Sequence, residues 1–310
     1  MTEAVRRVEP DEFRWSMPSP VAGEVHAIVE AAERADGAAP LDEAVLLRLR
    51  NHGIAGGALL VSDDPPVGFA WVHDGDLAVV VHPDARREGR GRDLVEMALE
   101  SADVATAWSH GNHPGAARLA EAFGFTRERD LWVMRRSPRD LPELPAAPDG
   151  VAVRAFEPGR DEDAFLALNA EAFAHHPEQG RMTRVDLDER MAEAWFDPEG
   201  FFVAESTQLD PGRLVGFHWT KVHDGPPPTG EVYVVGVSPT VQGSGLGRLL
   251  TLAGLHHLAG RGLGEVLLYV ESDNAPAIAV YSRLGFTHAD ADTHVQYRRG
   301  PAATVSPAPA

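Results

Sequence analysis

The chain has 310 residues, of which 44% are hydrophobic and 24% charged, enough apolar material for two folded cores. Its formal net charge of −19 argues against nucleic acid or an anionic membrane as the main partner, although a local nest of backbone amides can hold a small anion inside an acidic protein. There is no cysteine, which excludes disulfides and thiolate metal sites.

The opening segment "MTEAVRRVEPDEF" lacks an apolar signal core, and no run approaches the roughly 20 residues of a membrane helix. The expectation is a cytoplasmic monomer with no membrane partner. At 77–95, "LAVVVHPDARREGRGRDLV" reads as a strand, a glycine-containing loop and the start of a helix. Residues 137–150, "SPRDLPELPAAPDG", contain four prolines and little to bury, the composition of an extended linker. Beyond it, "VAVRAFEP" reads as a strand and "DEDAFLALNAEAF" as a helix; "FFVAES" and "LVGFHWTKV" read as strands joined by a turn at Asp210-Pro211-Gly212. A strand ending in "VYVVGV" then meets the loop Gln242-Gly243-Ser244-Gly245-Leu246-Gly247 and a helix running to about Ala259. The strand "EVLLYVES", the helix "APAIAVYSRLG" and the strand "HVQYRR" complete the series, and the proline-rich end "GPAATVSPAPA" predicts a frayed tail. This mixed order indicates α/β or α+β layers.

The chain also repeats itself. Val79 to Arg86 aligns with Val235 to Gln242 at a spacing of 156, and Phe123-Gly124-Phe125-Thr126 with Leu284-Gly285-Phe286-Thr287 at 161. Two ordered matches at nearly one spacing predict duplicated domains: an N-terminal domain over 1–138, a linker over 139–149, a C-terminal domain over 150–300 and a tail over 301–310.

The glycine loop lacks the G-x-G-x-x-G order of a dinucleotide site and the Gly-Lys-Ser/Thr of a triphosphate loop. What remains is physical: glycines let amides converge, and a helix N-terminus adds partial positive charge, so a pyrophosphate suits it. A tight turn packing strand on helix is the alternative. With Gln242-x-x-Gly245-x-Gly247, the repeat Arg86-x-x-Gly89-x-Gly91 and the downstream "NAPAIAVYSRLGF", the chain resembles the GNAT superfamily of acetyl-CoA-dependent N-acetyltransferases. The resemblance implies two tandem acyl-CoA-binding domains, each a mixed, mostly antiparallel sheet flanked by helices. It places acetyl-CoA against Val235, Gly236, Val237, Gln242, Gly243, Ser244, Gly245, Leu246, Gly247, Arg248 and Asn274. In the first half the matching positions are Val79, Val80, Val81, Arg87, Glu88, Gly89, Arg90, Gly91 and Arg92.

A narrower likeness, carried by "DGAAPLDE", "AHHPEQG" and "GEVYVVGVSPTVQGSGLGRLL", is to tandem members that acetylate the cysteinyl amine of a small cysteine-glucosamine-inositol conjugate. Amide formation needs a neutral amine, so a base is required. The resemblance gives that role to Glu231 and the general-acid role to Tyr281, with an amide near Val237 facing the developing oxyanion. Tyr269, Glu178, Lys221, Glu43 and Glu231 match the substrate contacts. Each could equally be a solvated or packed side chain. His175-His176 beside Glu178 has no third ligand at useful spacing, so no metal is expected. Tyr281 aligns with Ala120 and Glu231 with Gly75, which leaves the first domain without proton-transfer groups and predicts that it is catalytically silent. Two rival readings stay open: a tandem acetyltransferase for an aminoglycoside or a protein N-terminus, and a CoA-binding sensor without turnover.

Overall fold

The computed structural model describes residues 5–15, 19–62, 65–174, 179–208 and 212–300. His175, His176, Glu178, Asp210, Pro211 and the tail 301–310 lie outside the described residues. The chain divides into two compact units, residues 1–132 with 289–310, and residues 133–288.

Unit 1 contains β1 (Val5–Arg7), α1 (Pro20–Asp36), α2 (Glu43–His52), β2 (Ala58–Ser62), β3 (Gly68–His73), β4 (Asp76–Val81), α3 (Arg90–Ser101), β5 (Thr106–Ser109), α4 (Pro114–Ala122) and most of β6 (Phe125–Arg136). Unit 2 contains the end of β6, β7 (Val151–Ala155), α5 (Glu162–Ala172), α6 (Arg184–Met191), β8 (Phe201–Ser206), β9 (Leu214–His223), β10 (Thr229–Val237), α7 (Leu246–Ala259), β11 (Glu265–Glu271), α8 (Ala275–Arg283) and the start of β12 (Thr287–Arg299).

In unit 1, β1 to β4 pair antiparallel in sequence order, and β4 pairs parallel with β5 across the α3 crossover. Helices cover both faces. Alternation therefore sends Leu59, Val61, Phe69 and Trp71 to the α1 and α2 side and Ala58, Leu60, Ala70 and Val72 to the α3 side, which is why β2 is buried throughout. Local chemistry sets the helix starts: Ser19 Oγ accepts from the Ala22 amide with Pro20 in the first turn, and Asp42 accepts from the Val45 amide at 2.8 Å.

Unit 2 repeats the plan. Strands β7 to β10 pair antiparallel and β10 pairs parallel with β11 across α7. The α5 and α6 side holds Phe165, Phe217 and Trp219, and the α7 side holds Val215, Leu249 and Leu250. Helix α6 was not among the expected elements. It is a polar helix with a Thr183–Asp186 capping box, and Leu187 is its one buried residue, so it offers almost no apolar period to read.

The expected boundaries and the compact units differ. Residues 139–149 carry no helix or strand and fall within unit 2, where His256 Nε2 lies 2.9 Å from the Pro142 carbonyl oxygen. The last strand begins at Thr287, before "HVQYRR", and from Ala289 onward it belongs to unit 1. Val295, Gln296, Tyr297 and Arg298 pair antiparallel with Ser109, Trp108, Ala107 and Thr106 of β5. Val295 and Tyr297 fill the core beneath α3. The C-terminal strand thus completes the sheet of the N-terminal half.

Candidate active site

The glycine loop of unit 2 follows the end of β10. Ser238 is buried, accepts from the Thr240 amide and donates to Glu171 Oε1 at 2.8 Å, fixing the exit from the strand. Gly243 and Gly245 then adopt φ of 80° and 86°, the left-handed region where only glycine is unstrained. Gly245 is the N-cap of α7 and supplies no side-chain cap, so the first-turn amides keep hydrogen-bonding capacity for a ligand. Gln242, Gly243, Ser244 and Arg248 are exposed, Leu246 is buried, and Gly247 lies beside Val237. Asn274 Oδ1 accepts from the Ala277 amide and caps α8.

Upstream of the loop, the sheet opens. Thr229, Gly230, Glu231 and Val232 pair with Glu265, Val266, Leu267 and Leu268. The parallel ladder ends there, although β10 runs on to Val237 and β11 to Glu271. On the other side β10 stays paired with β9 through Val235, Gly236 and Val237, after a bulge at Tyr233 between Val232 and Val234. One edge of β10 is therefore freed where a long, thin ligand can hydrogen-bond along it.

Unit 1 carries the same device. Its parallel ladder consists of Asp76 with Thr106 and Leu77 with Ala107, after which Val79, Val80 and Val81 stay paired with Ala70, Phe69 and Gly68 of β3 but leave the β5 ladder as they run toward the loop. Arg87 has φ 69° and Gly89 φ 93°, so Arg87 occupies the left-handed position that Gly243 takes in unit 2. Gly89 begins α3 without a side-chain cap, Glu88 is exposed and Arg90 and Gly91 form the first turn, while the Arg92 guanidinium lies 5.3 Å from the Phe123 ring centroid. A cavity of about 780 Å³ runs from the opened strands to this loop, lined by Val79, Val81, Trp108, Gly89, Leu119 and Tyr297 among others. Arg86 lines it too, but its guanidinium is held by both Asp36 oxygens at 2.7 Å. The positions matching Glu231 and Tyr281 offer no acid or base: Gly75 sits in the turn between β3 and β4 with φ 84°, and Ala120 is on α4.

Glu231 lies on β10 just before the ladder opens, directly opposite Lys221 on β9 and Leu267 on β11, so its backbone is clamped from both sides. Its side chain is only 6% exposed and accepts a 2.6 Å hydrogen bond at Oε2 from His223 Nε2. The Lys221 ammonium lies 4.7 Å from the Trp195 ring centroid and 5.4 Å from that of Tyr233, and Arg190 Nε donates to the Tyr233 hydroxyl at 2.9 Å. Alternation places Tyr269, two residues beyond Leu267, on the same face, where it is exposed. The structure thus gathers Glu231, Lys221 and Tyr269 on one side of one sheet. His223, Trp195 and Tyr233, which the motif reading did not single out, join them. Strand alternation from Lys221 could have found His223; nothing in sequence pointed to Trp195.

Tyr281 sits on α8, its ring edge-on to Phe286 at 6.0 Å. The residue is partly buried, and shielding of the phenol pushes its pKa up to about 12, so it stays protonated at neutral pH. Glu43 opens α2 in unit 1.

An opened strand edge that leads into uncapped amides suits a donor whose extended arm runs into a pyrophosphate, which is what a GNAT acetyltransferase must hold in acetyl-CoA. The Acetyltransferase (GNAT) family model matches residues 166–286. A mycothiol acetyltransferase of Nocardioides sp. is 56% identical, with 89% of this chain and 96% of the relative covered. One from Catenulispora acidiphila is 49% identical, with 88% and 94% covered. Among solved structures, a GCN5-related N-acetyltransferase from Sphaerobacter thermophilus matches with a TM-score of 0.66 at 26% identity over 95% of this chain and 94% of its own. A tandem GNAT protein from the clavulanic acid biosynthesis pathway matches in fold alone, with a TM-score of 0.71 at 21% identity over 96% and 99% of the two chains. The chain belongs to the mycothiol acetyltransferase family. Among its described residues, no helix is long and apolar enough to cross a membrane, and no cluster of three metal-ligating side chains occurs.

Proposed function

We propose that unit 2 transfers acetyl from acetyl-CoA to the cysteinyl amine of a cysteine-glucosamine-inositol conjugate, the step that completes mycothiol. The observation that carries this reading is Glu231: a buried carboxylate, fixed in position, on the strand whose edge opens toward the glycine loop. Acetyl-CoA supplies the thioester. The amides from Gln242 to Arg248 hold its pyrophosphate, and the free edge of Val235, Gly236 and Val237 holds its extended arm.

An α-ammonium with a pKa near 8 must lose a proton before it attacks. Glu231 takes that proton, directly or through water; the nitrogen then bonds to the thioester carbon, and an amide on β10 near Val237 faces the oxyanion. When the carbon–sulfur bond breaks, Tyr281 donates its phenolic proton to the departing thiolate. As the amide forms, the tetrahedral nitrogen sheds its second proton to solvent, a solvent proton restores the Tyr281 phenol, and the proton held by Glu231 leaves for solvent, so that one proton is released per turnover. Lys221 and Tyr269 contact the acceptor on the Glu231 face, and Glu178 and Glu43 are assigned the same task by resemblance. Unit 1 holds CoA against Val79, Val81 and the 87–92 loop without turning it over, since Gly75 and Ala120 stand where a base and an acid are needed.

A competition assay tests the reading. The protein is given acetyl-CoA with equimolar cysteinyl conjugate, an aminoglycoside and a peptide with a free N-terminus, and products are identified by mass. Acetylation of the conjugate's amine alone is the expected outcome. Preferential acetylation of either other amine would replace the acceptor assignment, and absence of any product despite CoA binding would favour the sensor.

A further inference from the structure

Glu231 is a base whose backbone is held but whose side chain could still rotate, and a carboxylate that wanders by an ångström loses much of its value. One side chain prevents this. His223, the last residue of β9, lies directly opposite Thr229, so strand alternation puts it on the same face as Glu231 and diagonal to it. Its Nε2 approaches Glu231 Oε2 at 2.6 Å, a short, charge-assisted distance. Among the described residues, Oε1 receives no hydrogen bond. The imidazole is 39% exposed while the carboxylate is 6% exposed, so His223 is the wet end of a pair whose other end is dry.

We infer that His223 is a positioning residue for the acetyl transfer: it holds Glu231 through Oε2 so that Oε1 is the oxygen presented to the substrate amine. This rests on the assignment of Glu231 as the base. The N–H at His223 Nε2 donates the hydrogen bond, and the proton taken from the amine arrives on the opposite oxygen. A carboxylate has two oxygens, and with Oε2 engaged by His223 it is Oε1 that is left to accept from an α-ammonium. Lys221, directly opposite Glu231 in the ladder, has its ammonium over the rings of Trp195 and Tyr233. The 2.6 Å contact at Oε2 makes His223 a directional donor to the carboxylate.

The test uses the full chain and four variants: His223→Ala, His223→Gln, Glu231→Gln and the Glu231→Gln, His223→Ala double. For His223→Ala, kcat should fall about 10- to 100-fold with KM for acetyl-CoA unchanged. His223→Gln, whose amide can reach the Nε2 position, should recover most of the loss, and so should added imidazole, because the site is open to solvent. In the Glu231→Gln background, removing His223 should cost nothing further. A wild-type kcat for His223→Ala while Glu231→Gln is inactive overturns the positioning role and leaves the base assignment standing. Equal losses from His223→Ala in both backgrounds also overturn it, by showing a merely structural effect. Wild-type activity in Glu231→Gln overturns the base assignment itself.

Discussion

Replacing Val295 by Ala near the C-terminus should loosen the N-terminal unit. Val295 is fully buried, pairs with Ser109 of β5 and packs in the core of unit 1 with Leu94, Ala98 and Phe125. Removing two methyl equivalents forfeits about 1.6 kcal/mol of burial, and the cavity left among these side chains brings the cost to about 2 kcal/mol or slightly more. That corresponds to about a 30-fold gain in amide exchange wherever exchange reports opening of unit 1. Hydrogen-exchange mass spectrometry can read it peptide by peptide. Protection should drop across β2 to β5, residues 58–109, and persist across β8 to β10, residues 201–237. If protection fell in 201–237 and held in 58–109, the placement of the last strand in unit 1 would be refuted.

Other consequences can be measured in the same preparations. Gly245→Ala must hold a side chain at φ 86°, a strain of about 1–2 kcal/mol, and should raise KM for acetyl-CoA; Gly89→Ala, its counterpart in unit 1, should weaken CoA binding there by calorimetry and leave kcat unchanged. Tyr281→Phe should lower kcat about 100-fold with little change in melting temperature. Because burial raises the Tyr281 pKa to about 12, above its unfolded value near 10, its contribution to stability is complete below pH 10 and lost between pH 10 and 12, and wild-type kcat should show no phenol ionisation below pH 10. His110 in unit 1 and His218 in unit 2 are both pushed down to about 4 by burial; neutral imidazoles of this kind stabilise the fold above pH 6.5, and the melting temperature should fall steadily as pH drops from 6.5 toward 4.

Much of this was legible in the sequence because the features are local. The glycine loop, the helix ending at Ala259 and the duplicated strand-loop pattern each depend on a few consecutive residues, and the two loops do share their backbone, down to Arg87 in the left-handed position of Gly243. What stayed hidden depends on pairing at a distance. Alternation in "HVQYRR" shows a strand but not which sheet receives it, so the union of Val295 and Tyr297 with β5 could only come from three dimensions. The same limit applies at the site. Sequence singled out Glu231 and Lys221, but the hydrogen bond from His223 needs the register that sets Thr229 opposite His223, and the aromatic surroundings of Lys221 need Trp195 from a segment that folds back over the sheet.

The central claim is that Glu231 makes unit 2 the seat of acetyl transfer to a cysteinyl amine. The most direct measurement is single-turnover mass detection of the N-acetylated cysteine-glucosamine-inositol conjugate, with wild type and Glu231→Gln each saturated with acetyl-CoA. Rapid product formation by the wild type and a loss of about 100-fold or more in the variant is the predicted result. Equal rates in the two proteins would contradict it and place the base elsewhere.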